Sequence, residues 1–180
     1  MKIRIYIAFF CVFSIALFEN FRFYSSQNEE YEVKAAFIYN FTKYIDWEDE
    51  SMLNSSTFVI AVYKESPLEK ELLKLLNAKK VKNKKIEILQ IFDPSEIPKA
   101  HIVFLPEKTI SKDFKRFLQN ENLKSSLIIS EKQGRLELGS GINFVTISKN
   151  IKFEINLNST KKNKLKVSSQ LLKLAEKIKQ

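Results

Sequence analysis

The chain has few of the residue types on which most catalytic and metal sites depend. Its 180 residues include one cysteine, one histidine and three glycines. The single cysteine, Cys11, lies in an apolar N-terminal segment, so the remainder of the chain can form no disulfide and offers no thiol. A single histidine without cysteines cannot build a zinc site, and no nucleophile motif accompanies it. We therefore expect no catalytic residues, no metal site and no cofactor.

The three glycines, Gly134, Gly139 and Gly141, all fall within the stretch GRLELGSGINF. A phosphate-binding loop places its glycines between a strand and the N-terminus of a helix. Here the glycines lead into a strand pattern, and the stretch has neither a GxGxxG nor a GK[ST] motif. The pattern therefore predicts that Gly139 and Gly141 supply positive φ angles or allow close backbone approach where the chain enters the sheet.

The first residues are typical of an export signal. Met1–Arg4 is basic, and Ile5–Phe18 contains no charged residue. That run is shorter than the roughly 20 residues that a membrane-spanning helix needs, so we predict a signal peptide over residues 1–26. The sequence leaves the cleavage site open, and a retained anchor is the alternative. Residues 27–180 are predicted to form a single domain in the periplasm.

The charge balance is basic, with a formal net charge of +9. Most of the excess is lysine, whereas arginine is the preferred residue for bidentate contacts to phosphate and guanine. Export would also separate the chain from nucleic acid. We therefore expect no nucleic-acid partner, and we interpret the lysine run from Asn77 to Lys85 as a solvated loop. Weak attraction to an anionic membrane surface is the lesser alternative.

The first helix is predicted over residues 29–47, where glutamates near its start suit the positive end of the helix dipole. Because buried amides need partners, we expect Asn40 to bond to backbone. The stripe that carries this amide at helical spacing is Val33, Ala36, Phe37, Asn40, Phe41 and Tyr44.

The rest of the chain alternates between strand and helix patterns. Pro67 begins one predicted helix, Ser111 is the predicted N-cap of another, and Asn158–Thr160 is predicted to cap a long last helix. That last helix carries Val167, Leu171, Leu174 and Ile178 on one face. Strands are predicted at residues 57–63, 85–91, 101–105 and 126–130, followed by the antiparallel hairpin INFVTIS and IKFEINL. This order predicts an α/β three-layer sandwich with a mixed sheet, parallel at its centre, and an antiparallel C-terminal hairpin.

His101 and Trp47 are the two rare side chains that call for an interpretation. His101 begins a buried strand pattern without an orienting carboxylate, so we interpret its ring as a structural hydrogen-bonding group. Trp47 beside an aromatic helix is expected to pack inward, and an interface anchor is the alternative. The carboxylates around it lack the spacing of a calcium loop and indicate a polar helix end. They are Asp46, Glu48, Asp49 and Glu50.

Three segments resemble the YfiR/HmsC-like family. EVKAAFIYNFTKYIDW resembles the family's opening helix, and AHIVFL resembles its short central strand. GINFV, IKFEINL and LKVSSQLLKLA resemble its C-terminal block, in which a long helix follows the strands. The positions that carry the resemblance, as structural or interface residues, are Lys34, Phe37, Tyr39, Asn40, Phe41, Trp47, His101, Gly139, Gly141, Asn143, Phe144, Glu154, Asn156, Ser168 and Ser169.

The resemblance implies a Rossmann-like fold and a small exported regulator without catalytic residues. Well-known members repress an inner-membrane diguanylate cyclase through its periplasmic sensor part, and so hold down cyclic-di-GMP and biofilm formation. The implied partner is the periplasmic domain of an inner-membrane sensor, either a diguanylate cyclase or a histidine kinase. Members are often dimeric, so a homodimer is also expected. Relatives often carry a cysteine where this chain has Ala100, so redox control through a disulfide does not carry over.

Two other functions stay open. A periplasmic small-solute-binding domain that feeds a sensor kinase or a transporter would use a cleft at the carboxyl ends of the central strands. A hydrolase or transferase would need a reactive constellation that the sequence does not show.

Overall fold

The computed structural model describes residues 28–180. The predicted signal peptide, residues 1–26, lies outside the described residues and is not tested by the structure. Between residues 28 and 180, no helix is both long enough and apolar enough to span a bilayer.

Helices and strands alternate along most of the described chain. The helices are residues 28–44 (α1), Glu50–Leu53 (α2), Pro67–Leu76 (α3), Ser111–Gln119 (α4), Arg135–Leu138 (α5), Leu157–Lys162 (α6) and Ser169–Leu172 (α7). The strands are Ile45–Trp47 (β1), Thr57–Tyr63 (β2), Lys80–Val81 (β3), Lys84–Ile91 (β4), Ile102–Leu105 (β5), Leu127–Ser130 (β6), Ile142–Ile147 (β7), Asn150–Asn156 (β8), Leu165–Val167 (β9) and Lys177–Lys179 (β10).

One eight-stranded sheet has the order β10-β8-β7-β6-β5-β2-β4-β3. Five central strands, β7, β6, β5, β2 and β4, run parallel to one another. The strand β8 is antiparallel to β7, and β3 is antiparallel to β4. A second, two-stranded sheet pairs β1 with β9. The predicted fold class is confirmed, with a parallel centre and an antiparallel C-terminal hairpin.

Helices pack on both faces of the large sheet. Alternate residues of β2 point to opposite faces: Phe58 and Ile60 join the core beneath α1 and α3, whereas Val59 and Ala61 join the core beneath α4. Nearly every position of β2 is buried, as expected for a strand covered on both sides. The layers are therefore helix, sheet and helix.

The first helix ends earlier than predicted, and a different face of it is buried. Ile45–Trp47 leave the helix because they pair with Leu165–Val167 of β9. The predicted stripe is wrong at Val33, Ala36 and Asn40, which are exposed. The buried positions of α1 are Tyr31, Lys34, Ala35, Ile38, Phe41 and Thr42.

Two polar residues explain the error in the predicted stripe. Lys34 is buried because it forms an ion pair inside the fold, and this moves the buried face away from the position that apolar spacing alone indicates. Asn40 accepts a hydrogen bond from Lys43 Nζ at 3.3 Å at the surface. The expectation that Asn40 is buried and bonded to backbone is therefore wrong.

The long C-terminal helix predicted from leucine spacing is also wrong. In the region of the predicted helix, the short helix α6 ends at Lys162. Asn163 Nδ2 then donates to Ser126 O at 2.8 Å. Lys164 adopts a left-handed φ of 54°, so the helix cannot continue. The following residues form β9, α7 and β10 instead, and Leu174 and Ile178 are exposed.

The lysine run of residues 77–85 is part of a β-hairpin and not a solvated loop. Lys80 of β3 lies directly opposite Lys85 of β4. Lys82 and Asn83 form the two-residue turn, and both have positive φ, 48° and 65°. Turns of this kind match the twist of the paired strands, so the hairpin is well formed although it is strongly basic.

The N-caps of three helices can be compared with the helix ends predicted from the sequence. Ser111 is the first residue of α4, and its N-cap is Ile110, which makes no side-chain hydrogen bond, so the predicted cap is wrong. The acidic cluster around Trp47 does not end the first helix, which stops at residue 44; instead Asp49 caps the start of α2 by accepting from Ser51 N at 3.1 Å. Asn156 caps α6 through Ser159 N, in place of the predicted residues 158–160.

The glycine segment has the backbone features predicted for it, a positive φ at Gly139 and close backbone approach at Gly141. Gly139 has a φ of +119°, in the region that favours glycine. A Cβ on Gly141 would lie 3.1 Å from Leu127 Cδ1 and 3.5 Å from Ile128 O. The chain can thus pass close to β6 as it enters β7.

Candidate functional site

The carboxyl ends of the parallel strands meet at one edge of the sheet, which we call the carboxyl edge; the opposite edge is the amino edge. The chain order reverses at β2, because α3 leads to β4 on one side while β5 lies on the other. Ligands of open α/β sheets bind outside the carboxyl ends of the strands at such a switch point.

A cleft of about 500 Å³ opens at this switch point. Its walls include Tyr31, Ser66, Phe92, Pro106 and Thr109, which come from α1 and from the segments after β2, β4 and β5. Ser66 caps α3 through Leu68 N at 3.3 Å. Thr109 Oγ1 is buried and has no hydrogen-bond partner within residues 28–180. The cleft is therefore partly aromatic and partly polar.

A second cavity, of about 560 Å³, continues along the carboxyl edge beside β7 and β8; we call it the groove. Three predicted family positions, Lys34, Phe144 and Glu154, line it. The residues that line both the cleft and the groove are Tyr31, Glu107 and Glu131.

Glu131 is the centre of a charge network between the cleft and the groove. Its Oε2 lies 2.5 Å from Lys34 Nζ, and the two side chains are 6% and 4% exposed. Its Oε1 accepts hydrogen bonds from Tyr31 Oη at 3.1 Å and from Glu107 N at 3.0 Å. Lys34 Nζ also lies 2.5 Å from Glu30 Oε1 of the same helix. The network therefore fixes α1 against the end of β6.

Sequence reasoning singled out Lys34 but missed Glu131. The two residues are 97 positions apart, so no local pattern links them. The available signal was the position of Glu131 directly after the strand pattern SLIIS, because residues that follow parallel strands converge at the carboxyl edge.

Two buried tyrosines at the carboxyl edge stay protonated at neutral pH. Burial, together with the charge of Glu131, raises the pKa of Tyr31 well above its ordinary value. Burial and a 2.6 Å hydrogen bond to Asp113 Oδ2 likewise raise the pKa of Tyr63. Both phenols therefore serve as hydrogen-bond donors and not as bases.

Trp47 and His101 lie at the amino edge in a closed cluster. Each is 3% exposed. Trp47 Nε1 donates to His101 O at 3.1 Å, and the His101 ring stacks on Phe58 with the ring centroids 4.3 Å apart. The predictions that Trp47 packs inward and that His101 is a structural hydrogen-bonding group are confirmed.

The contacts of His101 also decide its tautomer. Val59 N donates to Nδ1 at 3.1 Å, so Nδ1 carries no proton. The neutral ring then holds its proton on Nε2, which lies 3.3 Å from Met52 O and donates to it. Burial lowers the pKa of His101 below its ordinary value, and the charge of Lys84 acts in the same direction. The ring is therefore a neutral bridge between two backbone segments.

Several predicted aromatic positions pack into one cluster. The Phe41 ring centroid lies 6.1 Å from that of Phe37, 6.0 Å from that of Phe144 and 5.1 Å from that of Phe153. Phe41 is fully buried, whereas Phe37 is half-buried. These rings join α1 to the β7–β8 hairpin, so their observed contacts are packing contacts.

Two predicted asparagines lie deep in the fold near the glycine segment. Asn156 Nδ2 donates to Leu136 O at 2.8 Å, and Asn156 N donates to Gly141 O at 2.9 Å. Asn143 Nδ2 donates to Phe144 O at 3.3 Å. Asn156 therefore ties the α5 segment and the start of β7 to the end of β8.

The last predicted positions are spread over the surface. Tyr39 lies beneath two ammonium groups, those of Lys43 and Lys79. Ser168 caps α7 through Leu171 N at 3.2 Å, and Ser169 is exposed. The structure thus brings Lys34, Phe144 and Glu154 together in the groove, and places the other predicted positions elsewhere. Across residues 28–180, no three His, Cys, Asp or Glu side chains are grouped so as to hold a metal ion.

The YfiR/HmsC-like family profile matches residues 31–176. The chain belongs to the YfiR/HmsC-like family. The match covers the cleft, the amino-edge cluster and every residue that lines the groove except Glu30, and it confirms the resemblance seen in the sequence. No curated protein matches the chain.

Proposed function

We propose that this YfiR/HmsC-like protein is an exported regulator of the periplasm that represses an inner-membrane diguanylate cyclase by contact with its outer sensor domain. Membership of the family over residues 31–176 carries the proposal. The basic, then uncharged N-terminal residues support export, with residues 1–26 as signal peptide and residues 27–180 as one domain. Repression would lower cyclic-di-GMP and limit biofilm formation. The chain acts by binding and not as an enzyme.

We place the contact surface at the groove on the carboxyl edge. Its support is that Lys34, Phe144 and Glu154, three positions of the family resemblance, line this groove. Ile147 at its rim is 40% exposed, so an apolar side chain lies beside charged ones, as at the boundary between interface core and rim.

Repression requires tighter binding to the inactive conformation of the sensor than to the active one. The buried Lys34–Glu131 pair holds one wall of the groove, α1, in place before any partner arrives. A preformed surface loses little freedom on binding, and this favours affinity.

Deletion of the gene tests the proposal. Cyclic-di-GMP and surface attachment should rise in the deletion strain, and the full chain supplied in trans should reverse both. A copy that lacks residues 1–26 is the matched control, and it should fail to complement although it is expressed. Unchanged cyclic-di-GMP together with unchanged sensor-kinase output would contradict the proposal. A change in kinase output alone would identify a histidine kinase as the partner.

The cleft at the switch point favours a second function, a small-solute-binding domain that feeds a sensor kinase or a transporter. Its volume of about 500 Å³ is within the range of small-molecule sites. A thermal-shift screen with small metabolites separates the two functions, because a tightly bound solute stabilises the folded state selectively. A large shift with one metabolite would favour this function. Light scattering on the purified protein tests the expected homodimer.

A further inference from the structure

Four lysines surround Tyr39 and the β3–β4 hairpin at the end of the sheet; we call them the basic surface. They are Lys43, Lys79, Lys80 and Lys85. Three of them border a shallow apolar groove of about 330 Å³ between α3 and the hairpin. The apolar residues of that groove include Leu73, Leu76, Ile86 and Ile88, and Leu73 is 54% exposed.

The basic surface places two lysines directly opposite each other in the hairpin and two more over one aromatic ring. Lys80 lies directly opposite Lys85 in the antiparallel ladder, with both side chains exposed. Lys43 Nζ and Lys79 Nζ lie 4.3 Å and 4.8 Å from the centroid of the same Tyr39 ring. Like charges placed directly opposite each other in a sheet are destabilising. The fold therefore carries a repulsion between Lys80 and Lys85 that an external anion would relieve.

No ion pair within residues 28–180 includes a lysine of the basic surface. Neighbouring lysines differ, because Lys82 pairs with Asp46 and Lys74 pairs with Glu32. Lys84 Nζ donates to Leu53 O at 2.6 Å. The exposed acid nearest along β4 is Glu87, two residues beyond Lys85. Within residues 28–180 the ammonium groups of the basic surface therefore contact a neutral amide and an aromatic ring but no carboxylate, and their charge is available to an external anion.

The hairpin holds these charges on a fixed backbone. Val81 is 3% exposed and anchors β3 in the core. Lys82 Nζ, at the turn, donates to Ile45 O at 3.2 Å and so ties the turn to β1. Lys80 and Lys85 project from the face of the hairpin opposite to Val81, whereas Lys43 and Lys79 lie over Tyr39 on the α1 side, so the four charges flank the edge strand β3. The backbone of the hairpin is fixed before a partner binds, and only the lysine side chains need to be ordered.

We propose that the basic surface binds the anionic phospholipid headgroups of a bilayer. Lysine ammoniums are point charges suited to many headgroups, whereas arginine gives bidentate recognition of one group, and the basic surface has no arginine. Juxtamembrane lysines are attracted to anionic leaflets, and exposed Leu73 can enter the boundary between headgroups and acyl chains.

Binding to lipid goes beyond the proposed function, since it requires no particular sensor. It would hold the protein beside whichever membrane protein it contacts. Lipid binding and the proposed function can also be refuted separately, because lipid binding is measured with purified protein and vesicles, whereas repression is measured in cells.

The test is co-sedimentation of the protein, purified in the form that cells make, with vesicles at low salt. One set of vesicles is an equal mixture of phosphatidylglycerol and phosphatidylcholine, and the other is phosphatidylcholine alone. The protein should sediment with the mixed vesicles and should dissociate as salt is added. The double variant Lys80→Gln, Lys85→Gln should lower the partition coefficient roughly 30-fold. It should also melt at or above the wild-type temperature, because the substitution removes a repulsion.

The double variant Lys112→Gln, Lys115→Gln is the matched control, because it removes the same charge from the exposed face of α4. It should bind the mixed vesicles nearly as well as the wild type. The proposal is overturned by equal binding to both kinds of vesicle, by equal losses in the two double variants, or by binding to soluble poly-glutamate without binding to mixed vesicles. The last result would assign the basic surface to an acidic protein.

Discussion

The two edges of the sheet use buried polar groups in opposite ways. At the amino edge, Trp47 and His101 are closed off, and their hydrogen bonds end on backbone atoms of the same fold. At the carboxyl edge, the side chains of Lys34 and Glu131 are 4% and 6% exposed, but they lie between two open cavities. Rare side chains mark the first edge and common ones mark the second. Rarity of a residue type therefore indicated packing in this protein, while position after a parallel strand indicated the candidate site.

Trp47→Ala is the most direct test of whether the amino edge is a packed core. Truncation of a fully packed aromatic side chain should lower the free energy of unfolding by about 3–5 kcal/mol, and it also leaves His101 O without its indole donor. Urea unfolding followed by circular dichroism measures the change. A loss below about 1 kcal/mol would mean that the amino edge is not a packed core.

The buried charge of the carboxyl edge is tested by Glu131→Gln. The substitution leaves Glu30 as the remaining carboxylate partner of buried Lys34 and replaces a charge-assisted hydrogen bond by a neutral one, so we expect a loss of about 2 kcal/mol in the free energy of unfolding. Glu137→Gln is the control, because Glu137 is an exposed carboxylate paired with surface lysines, and it should change the unfolding midpoint little. Equal effects of the two variants would show that burial adds nothing to the Lys34–Glu131 pair.

Acid should weaken the amino edge through His101. Because its pKa is lowered in the fold, the unfolded chain takes up the imidazole proton first. The stability from the neutral ring is complete above the ordinary pKa, about 6.5, and is lost as the pH falls below it, at up to about 1.4 kcal/mol per pH unit. Unfolding at a series of pH values from neutral down to the range where carboxylates titrate measures this slope. His101→Asn should flatten it, and an unchanged slope in that variant would assign the pH dependence to other groups.

The smallest effect on stability is expected for Phe92→Ala in the cleft. Phe92 is 58% exposed, so truncation should cost less than about 1 kcal/mol. If the cleft takes a solute, the same variant should weaken the thermal shift which that solute produces. A large loss of stability without any solute would mean that Phe92 belongs to the core.

The sequence predicted the parts of the fold that depend on local pattern. The continuous apolar runs of β2, β5 and β6 identified the parallel strands, and the alternation of β8 identified the hairpin. The long last helix failed because strand pairing outweighed local spacing: Leu165–Val167 pair with β1, which is more than a hundred residues away.

The candidate site was harder to predict, since it depends on a pairing that no window of sequence contains. Lys34 was singled out only by resemblance to a family, and its partner Glu131 was not singled out at all. The lysine hairpin was misread for a related reason. Charge density indicated a loop, whereas the short apolar anchor at Val81 and the turn at Lys82–Asn83 allowed β3 to form.

Photo-crosslinking in living cells tests most directly whether this protein works by contact through its carboxyl edge. A photoreactive amino acid would replace Ile147, at the rim of the groove, or Lys124, an exposed residue at the amino edge. We predict that position 147 crosslinks to an inner-membrane sensor protein and that position 124 does not. A crosslink to such a protein from position 124 alone, or none from either position in cells that show full repression, would contradict the account.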